Sequence, residues 1–182
     1  MGKLSGTITY LVGSIDDSED FGVGWRKKIT PLLKEMGIIV LDPTNKPTND
    51  FFEDKNSVKY FKKLKQDGKF EQLRKEGRII RNFDLRCCDK ADFIIAYLDF
   101  DKKITGSYEE IFRSNMSKKP ILIFAKQGKA EIPNWLYWTL DINEIFENMG
   151  EVVQYLNNIN DEIVTPNQDR WRFFNWTKLL SK

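Results

Sequence analysis

Residues 91–125 read ADFIIAYLDFDKKITGSYEEIFRSNMSKKPILIFA, two apolar runs joined by a segment with a different rhythm. DFIIAYLD at 92–99 and PILIFA at 120–125 are rich in β-branched and aromatic residues and almost continuously apolar, as expected of strands covered on both faces of a parallel sheet. Between them GSYEEIFRSNMSKK has helical spacing. Strand, helix and strand in this order predict a βαβ unit with a right-handed crossover. The turn that opens the helix carries Gly106, Ser107, Glu109 and Glu110. One explanation is structural: Ser107 caps the helix and the glutamates suit the positive end of its dipole. The other is chemical, because open parallel sheets hold their ligands at the carboxyl ends of their strands.

Outward from this unit the alternation continues. TITYLVG at 7–13 and GIIVLDP at 37–43 are further strand-length apolar runs, and VGWRKKITPLLKEMG between them places Trp25, Ile29, Leu32, Leu33 and Met36 on one helical stripe, ending at Gly37. DINEIFENMGEVVQYLNNI predicts one or two later helices, and WLYWTL a short fifth strand. The fold class predicted is α/β: an open, mostly parallel sheet of about five strands flanked by helices, a flavodoxin- or Rossmann-like three-layer sandwich. The length of 182 residues suits one domain over 1–182, with the polar, lysine-rich segment at about 44–80 as a helical insert. The aromatic tail, with Trp171, Phe173, Phe174 and Trp176, predicts packing within or between subunits.

Composition narrows the chemistry. With 41% hydrophobic and 31% charged residues the chain is globular, and no apolar run approaches the length of a membrane span. The N-terminus reads as a first strand rather than a signal peptide, so a cytoplasmic protein without membrane partners is expected. A net charge of +2, from 29 basic and 27 acidic residues, argues against nucleic acid, and the basic cluster in KYFKKLKQDGKFEQLRKEGR is interleaved with acids as on solvated helices. Histidine is absent, which removes the commonest general base and zinc ligand together. Cys87 and Cys88 are adjacent, a poor arrangement for a disulfide or a metal site, and are read as packing residues. Acid–base and nucleophilic work then falls to carboxylates, tyrosines, lysines or hydroxyls, with no cofactor or metal expected.

The first strand ends in LVGSIDDSEDFGVGWR, where Gly13 and Ser14 precede an acidic loop. No phosphate-loop pattern is present, and Asp16, Asp17, Glu19 and Asp20 would repel a polyphosphate, whereas a nucleoside or its monophosphate is more easily held by Ser14 and backbone amides. Asp42, in LDPTN, and Asp84, in NFDLRCCDKADF, are expected near the carboxyl-end face.

Taken together, a first strand ending YLVGSI, Asp84-Leu85 ahead of ADFIIAYLD, the turn Gly106-Ser107-x-x-Glu110-Ile111 ahead of KKPILIF, the segment IPNWLYW and the tail RWRFF resemble the nucleoside 2-deoxyribosyltransferase family, in its phage and bacterial branches. The resemblance implies base exchange on 2-deoxyribonucleosides or their 5′-monophosphates through a covalent glutamyl sugar. It makes Glu110 the nucleophile and Asp84 the acidic residue at the base. Tyr10 and Gly13 would line the sugar and base pocket with Ser14, Gly106 and Ser107, and Asn134 would reach a neighbouring subunit's sugar in a homo-oligomer. The chain departs from the family at Ile104, six positions before Glu110, where an aspartate is common; Asp101, three residues earlier, is the acid available for that role. Related readings are a 5′-nucleotide N-glycosidase, with water in place of the second base, and a nucleotide-binding module without catalysis. Glu109, turned about 100° from Glu110 on the helix, is expected in solvent.

Overall fold

A computed structural model describes residues 2–15, 20–46 and 55–174. Over these the chain runs β1 (Ile8–Gly13), α1 (Val23–Glu35), β2 (Ile39–Leu41), α2 (Lys55–Gln66), α3 (Phe70–Lys90), β3 (Phe93–Leu98), α4 (Thr105–Met116), β4 (Ile121–Ala125), α5 (Asn134–Thr139), β5 (Ile145–Phe146) and α6 (Met149–Asn160). The strands form one all-parallel sheet in the order β2-β1-β3-β4-β5. The chain steps outward from β1 to β2 and then back across to β3. The crevice at the carboxyl ends of β1 and β3 is therefore the place where a ligand is best accommodated.

Alternation within the strands explains their continuous apolarity. Ile94, Ala96 and Leu98 of β3 join Ile111 of α4 and Cys88 of α3 on one face, while Phe93 and Ile95 join Ile29 and Leu33 of α1 and Leu156 of α6 on the other. The sheet is thus the middle layer of a three-layer α/β sandwich, and each buried aliphatic side chain contributes about 1.5–3 kcal/mol. Trp171 is fully buried in the second core, where its indole Nε1 donates to Glu144 Oε1 at 3.0 Å and ties the tail to the edge of the sheet. Trp176 and residues 16–19 of the acidic loop lie outside the described residues. No helix among the described residues is long and apolar enough to cross a membrane.

Several sequence expectations need correction. WLYWTL is not a strand: Ile132, Leu136 and Leu140 are buried at intervals of four, a helical period that makes α5, and the fifth strand is Ile145–Phe146, paired Ile123↔Ile145 and Phe124↔Phe146. β2 is an edge strand and Ile39 is 51% exposed, so cover on both faces fails there. On α1 the buried stripe is Arg26, Ile29, Leu33 and Met36, and Leu32 faces solvent. The insert is helical, yet its second helix does not stop near residue 80; α3 runs unbroken to Lys90 and carries Asp84 into the body of the protein. Lys119 secures that helix end, its Nζ donating to the carbonyls of Cys88, Asp89 and Ala91 at 2.5–2.7 Å. At α4 the N-cap is Ile104, without a side-chain cap, so Ser107 is the third helical residue rather than the cap. Glu109 and Glu110 consequently fall in the second turn, and the first turn holds no acid.

Candidate active site

Three elements converge on one cluster. β1 places Tyr10 beneath α4, buried among apolar side chains, with its hydroxyl donating to Glu110 Oε1 at 2.9 Å. Glu110 is half-buried on the sheet-facing side of α4. From α3, Asp84 reaches the same place, and Lys46, from the loop after β2, sets its Nζ 3.0 Å from Asp84 Oδ1. This pair is withdrawn from water, with side-chain exposures of 2% for Lys46 and 13% for Asp84. Burial pushes the Asp84 carboxyl above its ordinary value, while the Lys46 ammonium and the Tyr10 hydroxyl pull it back down. The Tyr10 hydroxyl is raised well above the usual phenol range, first by burial and then by the negative charges of Glu110 and Asp84, so it remains a donor. Burial also pushes the Cys87 thiol up to about 11, and that of Cys88 up as well, which leaves neither as a thiolate near neutral pH.

Two cavities meet at this cluster, sharing Asp84, Gly106 and Glu110. The larger, of about 310 Å³, lies between α2, α3 and α4; Phe61, Ile80 and Leu85 form its apolar walls, and Arg81 and Glu109 add polar groups. The smaller, of about 130 Å³, lies at the end of β1 and is bounded by Tyr10, Ser14, Arg26, Lys103 and Ser107. A mainly apolar cavity and a small polar one that share a carboxylate can hold the two unlike halves of one ligand.

Tyr10, Gly13, Ser14, Asp84, Gly106, Ser107 and Glu110 therefore come together around the two cavities. Gly13 is required by close packing, since a Cβ there would stand 2.8 Å from the Tyr97 carbonyl oxygen. Asp42 is not brought into either lining: it accepts from the Thr44 amide and hydroxyl at 2.8 and 2.7 Å and stands 3.7 Å from Arg26 Nε. It supports the loop, and with it the fully buried Arg26, whose Nη atoms donate to the carbonyls of Leu11, Gly13 and Gly22. Asp101 also stays outside, paired with Lys126 at 2.9 Å in solvent. Asn134 is exposed at the start of α5 and touches neither cavity. Glu109 is exposed as expected, but it forms a bidentate ion pair with Arg81 across the larger cavity. Lys46, Arg81 and Lys103 were missed from sequence; each stands in a polar segment with nothing local to distinguish it from a solvated lysine or arginine.

No family model matches the chain. Among solved structures it is similar to a 2-deoxyribosyltransferase from Bacillus psychrosaccharolyticus, with a TM-score of 0.55 and 19% identity, over 82% of this chain and 92% of that one. Among curated proteins, the outer-membrane lipoprotein carrier proteins of Helicobacter pylori strains J99 and P12 are each 32% identical over 79 residues, which is 42% of this chain. The chain spans 43% of the length of those relatives. The structural likeness covers 82% of this chain, and on that ground the chain has a nucleoside 2-deoxyribosyltransferase-like fold.

Proposed function

We propose that this protein cleaves the N-glycosidic bond of a 2-deoxyribonucleoside or its 5′-monophosphate and transfers the sugar to a second base, with Glu110 as nucleophile and Asp84 as acid–base partner. The observation that carries this reading is the cluster itself: Tyr10 bonded to Glu110 Oε1, with Asp84 beside it, where an apolar cavity meets a polar one. The apolar slot suits the flat base and the polar one the sugar's hydroxyl side.

As the C1′–N bond breaks, positive charge grows on C1′, and the Glu110 carboxylate stabilises and then bonds to it. Tyr10 donates to Oε1 and so fixes the orientation of the carboxylate that forms the ester. The base departs with the bonding pair and takes a proton from Asp84, while Lys46 stabilises the carboxylate left behind. An incoming base reverses each step: its nitrogen attacks C1′, its proton returns to Asp84, and Glu110 is released as the carboxylate. Water in place of the base completes hydrolysis, and neither route consumes a cofactor. The exposed Trp135 and Trp138 on α5, beside Asn134, support a homo-oligomer in which this face meets another copy.

Incubation with mixed 2′-deoxynucleosides and their 5′-monophosphates, followed by chromatography of free base and intact-protein mass, tests the reading. The wild type and Glu35→Gln, a change on the distant end of α1, are expected to release base and to carry a trapped sugar. Glu110→Ala is expected to lose at least about a thousandfold in rate. Exchange is separated from hydrolysis by adding an acceptor base. Base release by Glu110→Ala at the wild-type rate would overturn the assignment.

A further inference from the structure

The carboxyl ends of β1, β3 and β4 border a further cavity, on the side of the sheet where α1 and α6 pack and opposite the cluster around Glu110. We infer that this cavity binds a purine nucleotide, at a site separate from the two cavities described above. The inference goes beyond the proposed reaction and does not depend on it.

The first observation is an aromatic wall. The cavity, of about 400 Å³, is lined by Trp25, Tyr97 and Phe124. Tyr97 and Phe124 stack with ring centroids 5.0 Å apart, and Trp25 meets them at 5.5 and 5.8 Å. Such a cluster offers ring faces and edges against which a flat heterocycle can stack. The second observation is independent. The Trp25 indole Nε1 and the Ser14 hydroxyl oxygen are both buried atoms without a hydrogen-bond partner, and both residues line this cavity. Buried polar groups are ordinarily paired, so two orphans on one cavity mark a place where acceptors are expected. A purine carries unprotonated nitrogens in both of its rings and can offer acceptors to two separate donors.

The third observation is the charge left over at the rim. Its carboxylates are committed: Asp20 accepts from the amides of Gly22 and Gly24 at 3.0 and 2.7 Å, and Asp99 accepts from Gln127 at 3.0 Å and pairs with Lys126 at 3.2 Å. Lys28 and Lys102 line the cavity and have no ion pair among the described residues. Because Asp20 already occupies the start of α1, an anion here is held by these two ammonium groups rather than by helix amides. Aromatic wall, orphan donors and unpaired ammoniums together ask for a flat ring with acceptors and an anionic tail; a nucleoside lacks the charge and inorganic phosphate lacks the ring. An adjoining cavity of about 440 Å³ shares Tyr97, Phe124, Lys126 and Met149 and gives room for the sugar between ring and phosphate.

Calorimetric titration of the full chain with adenosine 5′-monophosphate, guanosine 5′-monophosphate, their nucleosides and inorganic phosphate tests the site. One of the two nucleotides is expected to bind at least about tenfold tighter than its nucleoside and than phosphate. Lys28→Glu with Lys102→Glu is expected to weaken that binding by about tenfold or more, and Trp25→Phe, which keeps a ring but removes the indole donor, several-fold. Asp84→Asn, at the other site, is expected to bind the nucleotide as the wild type does. Ser14 borders both this cavity and the smaller catalytic one and is therefore left unchanged. Should Trp25→Phe fail to fold, the lysine pair, which stands at the rim, decides the matter. Failure of both nucleotides to bind, equal affinities for nucleotide and nucleoside, or an affinity untouched by the lysine changes would overturn the site. Binding that is lost in Asp84→Asn and kept in the lysine variant would put the nucleotide in the cavities around Glu110 and likewise overturn it. Base release from deoxynucleosides is read separately, so either reading can fail while the other stands.

Discussion

Two single residues place testable demands on the chemistry around them. Lys46 is a buried ammonium whose partner is Asp84, so Lys46→Met leaves that carboxyl buried without its cation. Loss of a neighbouring positive charge raises a carboxyl pKa, and the Asp84-dependent limb of the kcat/KM pH profile is expected to move to higher pH, with activity lower by about tenfold or more. Lys46→Arg, which keeps the charge, should restore much of both; an unshifted profile in Lys46→Met would remove Lys46 from the mechanism. Glu144 acts on stability instead. Burial raises its carboxyl from an ordinary 4.5 to about 7, against the opposing bonds from the Ile121 amide and the Trp171 indole. The folded state thus favours the protonated acid, and that contribution is complete below pH 4.5 and lost as pH rises through 7. Urea unfolding at pH 5 and pH 8 is expected to show the wild type weaker at pH 8 by up to about 3 kcal/mol from this group. Glu144→Gln should remove that difference.

Elements were decided by how local signals compare with packing. The end of α1 is set locally: Gly37, at φ 77°, lets its own amide reach the Lys34 carbonyl and the Ile38 amide reach that of Leu33, closing the helix in a Schellman motif. A side chain there would meet both the left-handed penalty and the Ser5 hydroxyl, 2.7 Å from an ideal Cβ. Gly37→Ala is expected to cost about 1–2 kcal/mol in urea unfolding, with base release at low denaturant unchanged. The start of α4 went the other way. Ser107 has the composition of a cap, but Ile104 is buried against the first core and drags the helix start back to Thr105, which turns Ser107 inward. The same displacement puts Glu110 rather than Glu109 over Tyr10, and leaves Glu109 to pair with Arg81 of α3. α5 was mistaken for a strand because its aromatic residues favour strands in general, while its buried positions repeat every four residues.

For the whole molecule, the exposed face of α5 predicts its state of assembly. Trp135 and Trp138 are 63% and 74% exposed and their rings meet 6.2 Å apart, a large apolar area to leave in water. Light scattering after size exclusion is expected to show an oligomer for the wild type and a smaller species for Trp135→Glu with Trp138→Glu; a monomeric wild type would refute the assembly. At this scale the sequence by itself determined the sandwich and only part of the lining of the two cavities. Four continuous apolar runs separated by helical patterns have few arrangements other than a parallel sheet covered on both faces, because each strand alternates its side chains between two cores. Tyr10, Asp84 and Glu110 could be singled out only through the family resemblance of the motifs that carry them, because the apolar pattern alone does not distinguish them. What only the tertiary structure decided is which charges surround them. Lys46 pairs with Asp84 and Lys103 borders the polar cavity, whereas Asp42 and Asp101 are taken up by Arg26 and Lys126. Residues 46 and 84 come from separate loops and helices, and the partner of a charged side chain depends on where distant segments are packed. No periodicity within either segment encodes that, since hydrophobic pattern specifies the face an element buries and not the charge it meets across a gap.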